Sequence, residues 1–180
     1  MGVNDAFKLS EITKGREMAE EQNGAKNGNG APQDGAEPSI QVIGQYLKDL
    51  SFESPKAPGS LKSPGENPNL QVDINVNVHK LDEDVYESGI QLKVHASNDD
   101  GTIYMLEALY AGAFQIKNLP DDALEPVLLI NCPTILYPFL RRIISEMTQE
   151  GGFPPLLLDP IDFATLYKQR KTAGEVQGTA

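Results

Sequence analysis

The sequence predicts an α+β domain: a four-stranded antiparallel sheet with C-terminal helices packed on one face. Two observations carry this expectation. From Leu70 to Ile116 apolar residues largely recur with a period of two, the spacing of strands that bury one face. After Pro120 the spacing lengthens to threes and fours, the mark of helices with one apolar stripe. Strands first and helices afterwards is the order of segregated α+β folds.

The elements follow in chain order. Residues 16–38, "REMAEEQNGAKNGNGAPQDGAEP", hold no bulky apolar residue except Met18. Such a composition buries too little surface to offset chain entropy, so residues 1–38 are expected to be a disordered tail. Residues 1–17 are a separate matter. Lys14-Gly15-Arg16-Glu17 can be encoded wholly by purines and is followed at once by Met18, as a translated ribosome-binding tract would be. Met18 is therefore a candidate start, the other reading being a tail of no consequence. The ordered domain is expected over 39–171, with a flexible end at 172–180.

"IQVIGQYLKDLSFESP" is rich in β-formers and is ended by Pro55 and Pro58, giving the first strand. Residues 55–69 hold four prolines and two glycines and read as a long irregular crossover. In "LQVDINVNVHK" Leu70, Val72, Ile74, Val76 and Val78 alternate with polar residues, a strand with one buried face. After Asp82-Glu83-Asp84, Ile90, Leu92, Val94 and Ala96 repeat the pattern, and Asp100-Gly101 signals a hairpin. "TIYMLEALYAGAFQI" is apolar on both faces apart from Glu107. A strand of that kind is covered on both sides, and the second cover is expected from another subunit.

Asp122 with Glu125 matches a capping box for a short helix interrupted by Pro126. Pro133 suits the first turn of a second helix, whose apolar face is Leu136, Phe139, Leu140, Ile143, Ile144 and Met147. Gly151-Gly152 stops it. Asp159 is the expected cap of the last helix, with Pro160 at its first position and Phe163, Leu166 and Tyr167 as its stripe. Between these two helices lies "GGFPPLLLDP", an apolar segment where loops are normally wet.

Composition narrows the function. Fifteen Lys and Arg against 26 Asp and Glu give a net charge of −11, which disfavours nucleic acid and anionic membranes and suits a basic partner. One cysteine, Cys132, excludes an internal disulfide and fits a reducing compartment. No signal peptide and no uninterrupted apolar run of membrane-spanning length are visible, and Ala6 breaks a myristoylation pattern. The expected location is the cytoplasm. No catalytic residues, metal ligands or cofactor site are expected. His79 and His95 fall on polar strand positions, and Cys132 has no recognisable orienting partner. Metal spacings and phosphate loops are absent. The pattern favours a binding protein.

"LKDLSFESPKAP", "LDEDVYE" and "NCPTILYPFLRRIISEMTQEGGFPPLLLDPIDFATLY" resemble the SecB family of bacterial protein-export chaperones from about Ile40 to Tyr167. The resemblance implies a homotetramer, a dimer of dimers, that holds unfolded secretory precursors without ATP and passes them to the ATPase SecA. It implies SecA contacts at Asp49, Glu53, Met105 and Glu107, and a client groove at Tyr46, Phe52, Tyr104, Phe153, Leu156, Leu158 and Tyr167. By contrast, Leu157 and Phe163 are expected to seal the helix–sheet core. Two departures stand out: Glu66-Asn67 replace a tryptophan that many members carry before the proline here numbered Pro68, and "KQRKTAGEVQGTA" is more basic than the family's SecA-touching tail. A small-ligand-binding protein and a purely structural oligomer are the rival readings.

Overall fold

The structure is a computed structural model that describes residues 37–62 and 68–177. The expected tail and the Met18 start lie almost wholly outside these residues. Four strands, β1 Ser39–Glu53, β2 Asn69–Asp82, β3 Val85–Asn98 and β4 Gly101–Lys117, form one antiparallel sheet in the order β1-β4-β3-β2. A short helix, α1 Gly59–Lys62, interrupts the crossover that the prolines and glycines predict to be irregular throughout. The helices α2 Asp121–Pro126, α3 Cys132–Glu150 and α4 Phe163–Gln177 follow the sheet. The expected α+β architecture is what forms.

Alternation decides the faces. Leu106, Ala108, Tyr110 and Phe114 of β4 point to the helices, beside Ile90, Leu92 and Val94 of β3. Met105, Glu107 and Leu109 point to the open face, beside His95, Lys93 and Gln91. The open face of β4 is therefore not apolar throughout. Its buried members, Ala111 and Ala113, are small and are covered within the chain. On β2 only Val76 is fully buried, and Leu70 and Val72 stay exposed. The helices cover the sheet incompletely at that end of the edge strand.

β1 carries two bulges. Val42 and Gly44 oppose neighbouring residues Phe114 and Ala113, and Leu47 and Asp49 oppose Tyr110 and Leu109. Each extra residue, Ile43 and Lys48, reverses the side-chain alternation that follows it.

The helical stretch is continuous where Pro126 predicts a break. A π-helical turn, Val127–Asn131, joins α2 to α3, and the Cys132 N–H donates to the Val127 carbonyl five residues back. Prolines at 126, 133 and 138 withhold amide donors, and the wider turn accommodates the loss. Ser88 donates to the Leu128 carbonyl at 2.9 Å, and Thr134 to the Ile130 carbonyl at 2.6 Å. Asp121–Glu150 is thus long and apolar enough by length and composition to cross a membrane. Here Leu128, Cys132, Leu136, Leu140 and Ile144 are buried in the sheet–helix core. Phe139, placed in the apolar stripe by spacing, is exposed and stacks on Tyr110 at 6.2 Å.

Helix ends differ from expectation in detail. α2 begins at Asp121 with no side-chain cap, so Asp122 and Glu125 form no capping box. Asp121 and Asp122 instead place negative charge in the first turn. α4 begins at Phe163, and its cap is Asp162 rather than Asp159. Asp162 Oδ1 accepts from the Ala164 and Thr165 amides, and Oδ2 from the Thr165 hydroxyl. Pro160 disfavours helical geometry at Asp159, whose carbonyl accepts from the Tyr137 hydroxyl. α4 runs to Gln177, past the expected boundary at Lys171. Arg170 ties it to β2 through the Val76 carbonyl and the Asn75 side chain, at 2.9 and 2.8 Å.

Candidate functional site

The segment "GGFPPLLLDP" is held by α3 from both ends. Gly152, at φ +83, takes the left-handed position after α3. Its amide donates to the Gln149 carbonyl and that of Phe153 to the Thr148 carbonyl, a Schellman motif. The Thr148 hydroxyl, fully buried, then accepts from the Leu156 amide at 2.9 Å while donating back to its own helix. A loop that cannot form ladder bonds has its polar backbone satisfied in this way.

This anchoring brings Phe153 against Tyr104, 4.9 Å between ring centroids, and near Phe52 at 6.3 Å. Phe52 and Tyr104 stack at 5.6 Å. Three of the expected groove residues therefore form one aromatic cluster, from β1, β4 and the loop. Gly151 lies against the Phe52 ring and Gly152 against Leu61, so neither could carry a side chain without displacing these neighbours. Burial raises the pKa of Tyr104, which keeps its hydroxyl neutral. Leu158 is buried and Leu156 half-buried, both packed on the core. Leu157 does not seal the core: it is 75% exposed, because an extended segment must turn one of three consecutive leucines outward. Phe163 is buried edge-on to Tyr137, as expected.

Two expected groove residues lie elsewhere. Tyr167 lines a small apolar cleft with Val76, Leu129, Leu166 and Arg170. Tyr46 is on the open face of the sheet: it opposes Ala111, whereas Phe52 opposes Leu106. Six residues apart would normally mean the same face, but the bulge at Lys48 intervenes.

The same bulge gathers the expected SecA-contact residues. Asp49 opposes Leu109, Ser51 opposes Glu107 and Glu53 opposes Met105, so Asp49, Glu53, Met105 and Glu107 share the open face. Glu107 pairs with Lys93 at 2.9 Å, both about half exposed. Sequence reasoning missed Glu87, which is 6% exposed on this face. It accepts hydrogen bonds from the Tyr46 hydroxyl and from Lys48 Nζ, the latter at 2.6 Å. Burial alone would raise its pKa, but Lys48, Tyr46 and nearby His79 outweigh that and hold it below the ordinary value. The Tyr46 hydroxyl is pushed up by burial and by the adjacent carboxylate. No signal in "DVYESG" marks Glu87 as buried; it stands at a position that alternation makes wet.

Cys132 and the two histidines lie apart. His79 and His95 face the open side, His95 bonded to the Thr102 hydroxyl at 3.0 Å. Cys132 is buried among the helices, its thiol pushed up to about 12 by burial. Among the described residues no three His, Cys, Asp or Glu side chains converge as metal ligands would.

A helix-backed antiparallel sheet with an aromatic cluster on one face and acidic residues on the other defines a class of binding protein. The comparisons give its kind. Residues 33–174 match the family model described as "Preprotein translocase subunit SecB". A protein-export protein SecB of Rhodopseudomonas palustris is 42% identical over 152 residues, 84% of this chain and 97% of that protein. One from Mesorhizobium japonicum is 46% identical over 82% of this chain and 87% of its own. A SecB-like chaperone of Mycobacterium tuberculosis, solved in complex with a ChAD peptide from an antitoxin, shares the fold at TM-score 0.58 and 16% identity, covering 68% of this chain and 90% of that one. The chain belongs to the SecB family of protein-export chaperones.

Proposed function

We propose that the chain is an ATP-independent holdase that binds unfolded secretory precursors in the cytoplasm and delivers them to SecA. The aromatic cluster of Phe52, Tyr104 and Phe153 carries this reading, because the glycine turn against which Phe52 packs also holds the exposed Leu61, and Leu157, four residues after Phe153, is exposed as well. Apolar groups presented on a rigid frame suit extended apolar segments of varied sequence. Asp49, Glu53, Met105 and Glu107 are the SecA contacts, and the net charge of −11 suits a basic partner surface. The working form is a homotetramer. Its support is three exposed apolar side chains: Leu47 lies opposite Tyr110, Phe139 stacks on Tyr110, and Ile135 stands one helical turn before Phe139, a surface that a second copy would cover. No catalytic step is assigned.

A small-ligand reading has less support. The cleft lined by Lys56, Ser60, Asn98, Asp100 and Thr102 over Ile103 measures about 210 Å³, below the roughly 300–1,000 Å³ of typical ligand pockets.

The test is suppression of aggregation of a chemically denatured precursor without nucleotide, with light scattering for the chaperone's mass. Dose-dependent protection is expected, weakened about tenfold by Leu157→Asp, which removes one buried leucine from the complex. A folded protein that gives no protection at any ratio refutes the holdase reading.

A further inference from the structure

The Lys48 bulge determines which side chains of β1 reach which face. Before it, Tyr46 faces the open side; after it, Asp49, Ser51 and Glu53 do, while Leu50 and Phe52 turn to the helices. Removing the extra residue from the pairing would exchange the two sets. Phe52 would leave the aromatic cluster and Asp49 and Glu53 would turn toward the core.

One side chain holds this bulge. Glu87 stands on β3, opposite Ala113 of β4, which is itself opposite Gly44 of β1. The alanine and the glycine leave space for a carboxylate to reach across the intervening strand. Both of its oxygens are used on β1: Oε2 accepts from Tyr46 and Oε1 from Lys48, the bulged residue itself. Ladder bonds alone do not choose between a bulged and an unbulged register, because each is a satisfied antiparallel pairing away from the irregularity. The clamp from β3 does choose.

We propose that Glu87 is a positioning residue that fixes the register of residues 49–53, and thereby sets the acidic face and the aromatic cluster together. Its functional half rests on the holdase reading above. A perturbation of the clamp then reaches both sites through one strand, unlike a change at Glu107, which touches the open face alone.

Thiol mapping tests it. Cysteines placed singly as Leu50→Cys or Ser51→Cys report the two faces, and native Cys132 is fully buried. With Glu87 intact, the thiol of Ser51→Cys should react at least about tenfold faster than that of Leu50→Cys, a difference of about 1.4 kcal/mol in accessibility. In Glu87→Ala the two rates should converge. Lys48→Met and Glu87→Gln, each sparing one of the two bonds, should give intermediate ratios, while Lys48→Arg retains the parent ratio. SecA binding and client holding are measured on the same proteins, and both should fall about tenfold in Glu87→Ala. A parent ratio in folded Lys48→Met and Glu87→Gln overturns the clamp. Converged rates with both affinities unchanged overturn the positioning role. The mapping requires neither activity, so a failed clamp and a failed holdase reading are distinguished.

Discussion

At the scale of single residues, two buried polar groups fill roles that apolar residues could not. Thr148 supplies the acceptor for the Leu156 amide inside the core. Thr148→Val keeps the shape and orphans that amide, so a loss of about 1–3 kcal/mol is expected in urea unfolding. A loss under half that range would mean that the loop finds another acceptor. Glu87 gives a pH signature. Its folded pKa lies below its ordinary value of 4.5, so its stabilisation is complete above that value and is lost as pH falls through the depressed pKa. The stability gap between the parent and Glu87→Gln should therefore close in acid, and a gap independent of pH would exclude the ionised pair as its source. Neither residue was legible in the sequence. Thr148 lies four positions after Ile144, where a helical stripe admits any small side chain, and Glu87 occupies an ordinary wet position of a strand. A buried polar group is recognisable only through its partners, and these are distant in the chain.

At the scale of elements, alternation and helical spacing are enough for the strands and helices, but not for their irregularities. The pairs Leu92–Val94 and Leu136–Leu140 lie where their periods place them. The bulges of β1 are hidden, since an added residue in a strand of mixed composition leaves no break in the pattern, and Tyr46 consequently stands on the face opposite to the aromatic cluster. The π-turn is hidden as well: Pro126 argues for a break, and the wider turn with its bonds from Ser88 and Thr134 accompanies its absence. Ser88→Ala should cost about 1–3 kcal/mol by leaving the Leu128 carbonyl unpaired in the core, read from chemical denaturation. The glycine stop lies where its two residues predict it, and its conformation yields a number. Gly152→Ala should lose about 1–2 kcal/mol, because an L-residue disfavours φ +83. Its methyl would also stand 2.9 Å from Leu61. An unchanged unfolding midpoint would contradict the left-handed assignment.

At the scale of the whole molecule, the two faces of one sheet have opposite chemistry, and substitutions should separate them. Glu107→Lys reverses a charge on the open face, breaks the pair with Lys93 and should weaken SecA binding about tenfold while client holding stays intact. Equal loss of both would refute the division of faces. Phe139→Glu should lower the mass seen by light scattering toward one chain of 19.6 kDa, and an unchanged mass would place the subunit contact elsewhere. The open sheet also has a consequence for life among sticky neighbours. Its two outer strands, β1 and β2, each have only one neighbour in the sheet, and an edge of that kind is the usual starting point of amyloid-like growth. A chaperone meets extended chains continually. The irregular course of β1 spoils it as a template, and Arg170 occupies an acceptor on β2. The protein that keeps others from aggregating is thereby guarded against being recruited itself.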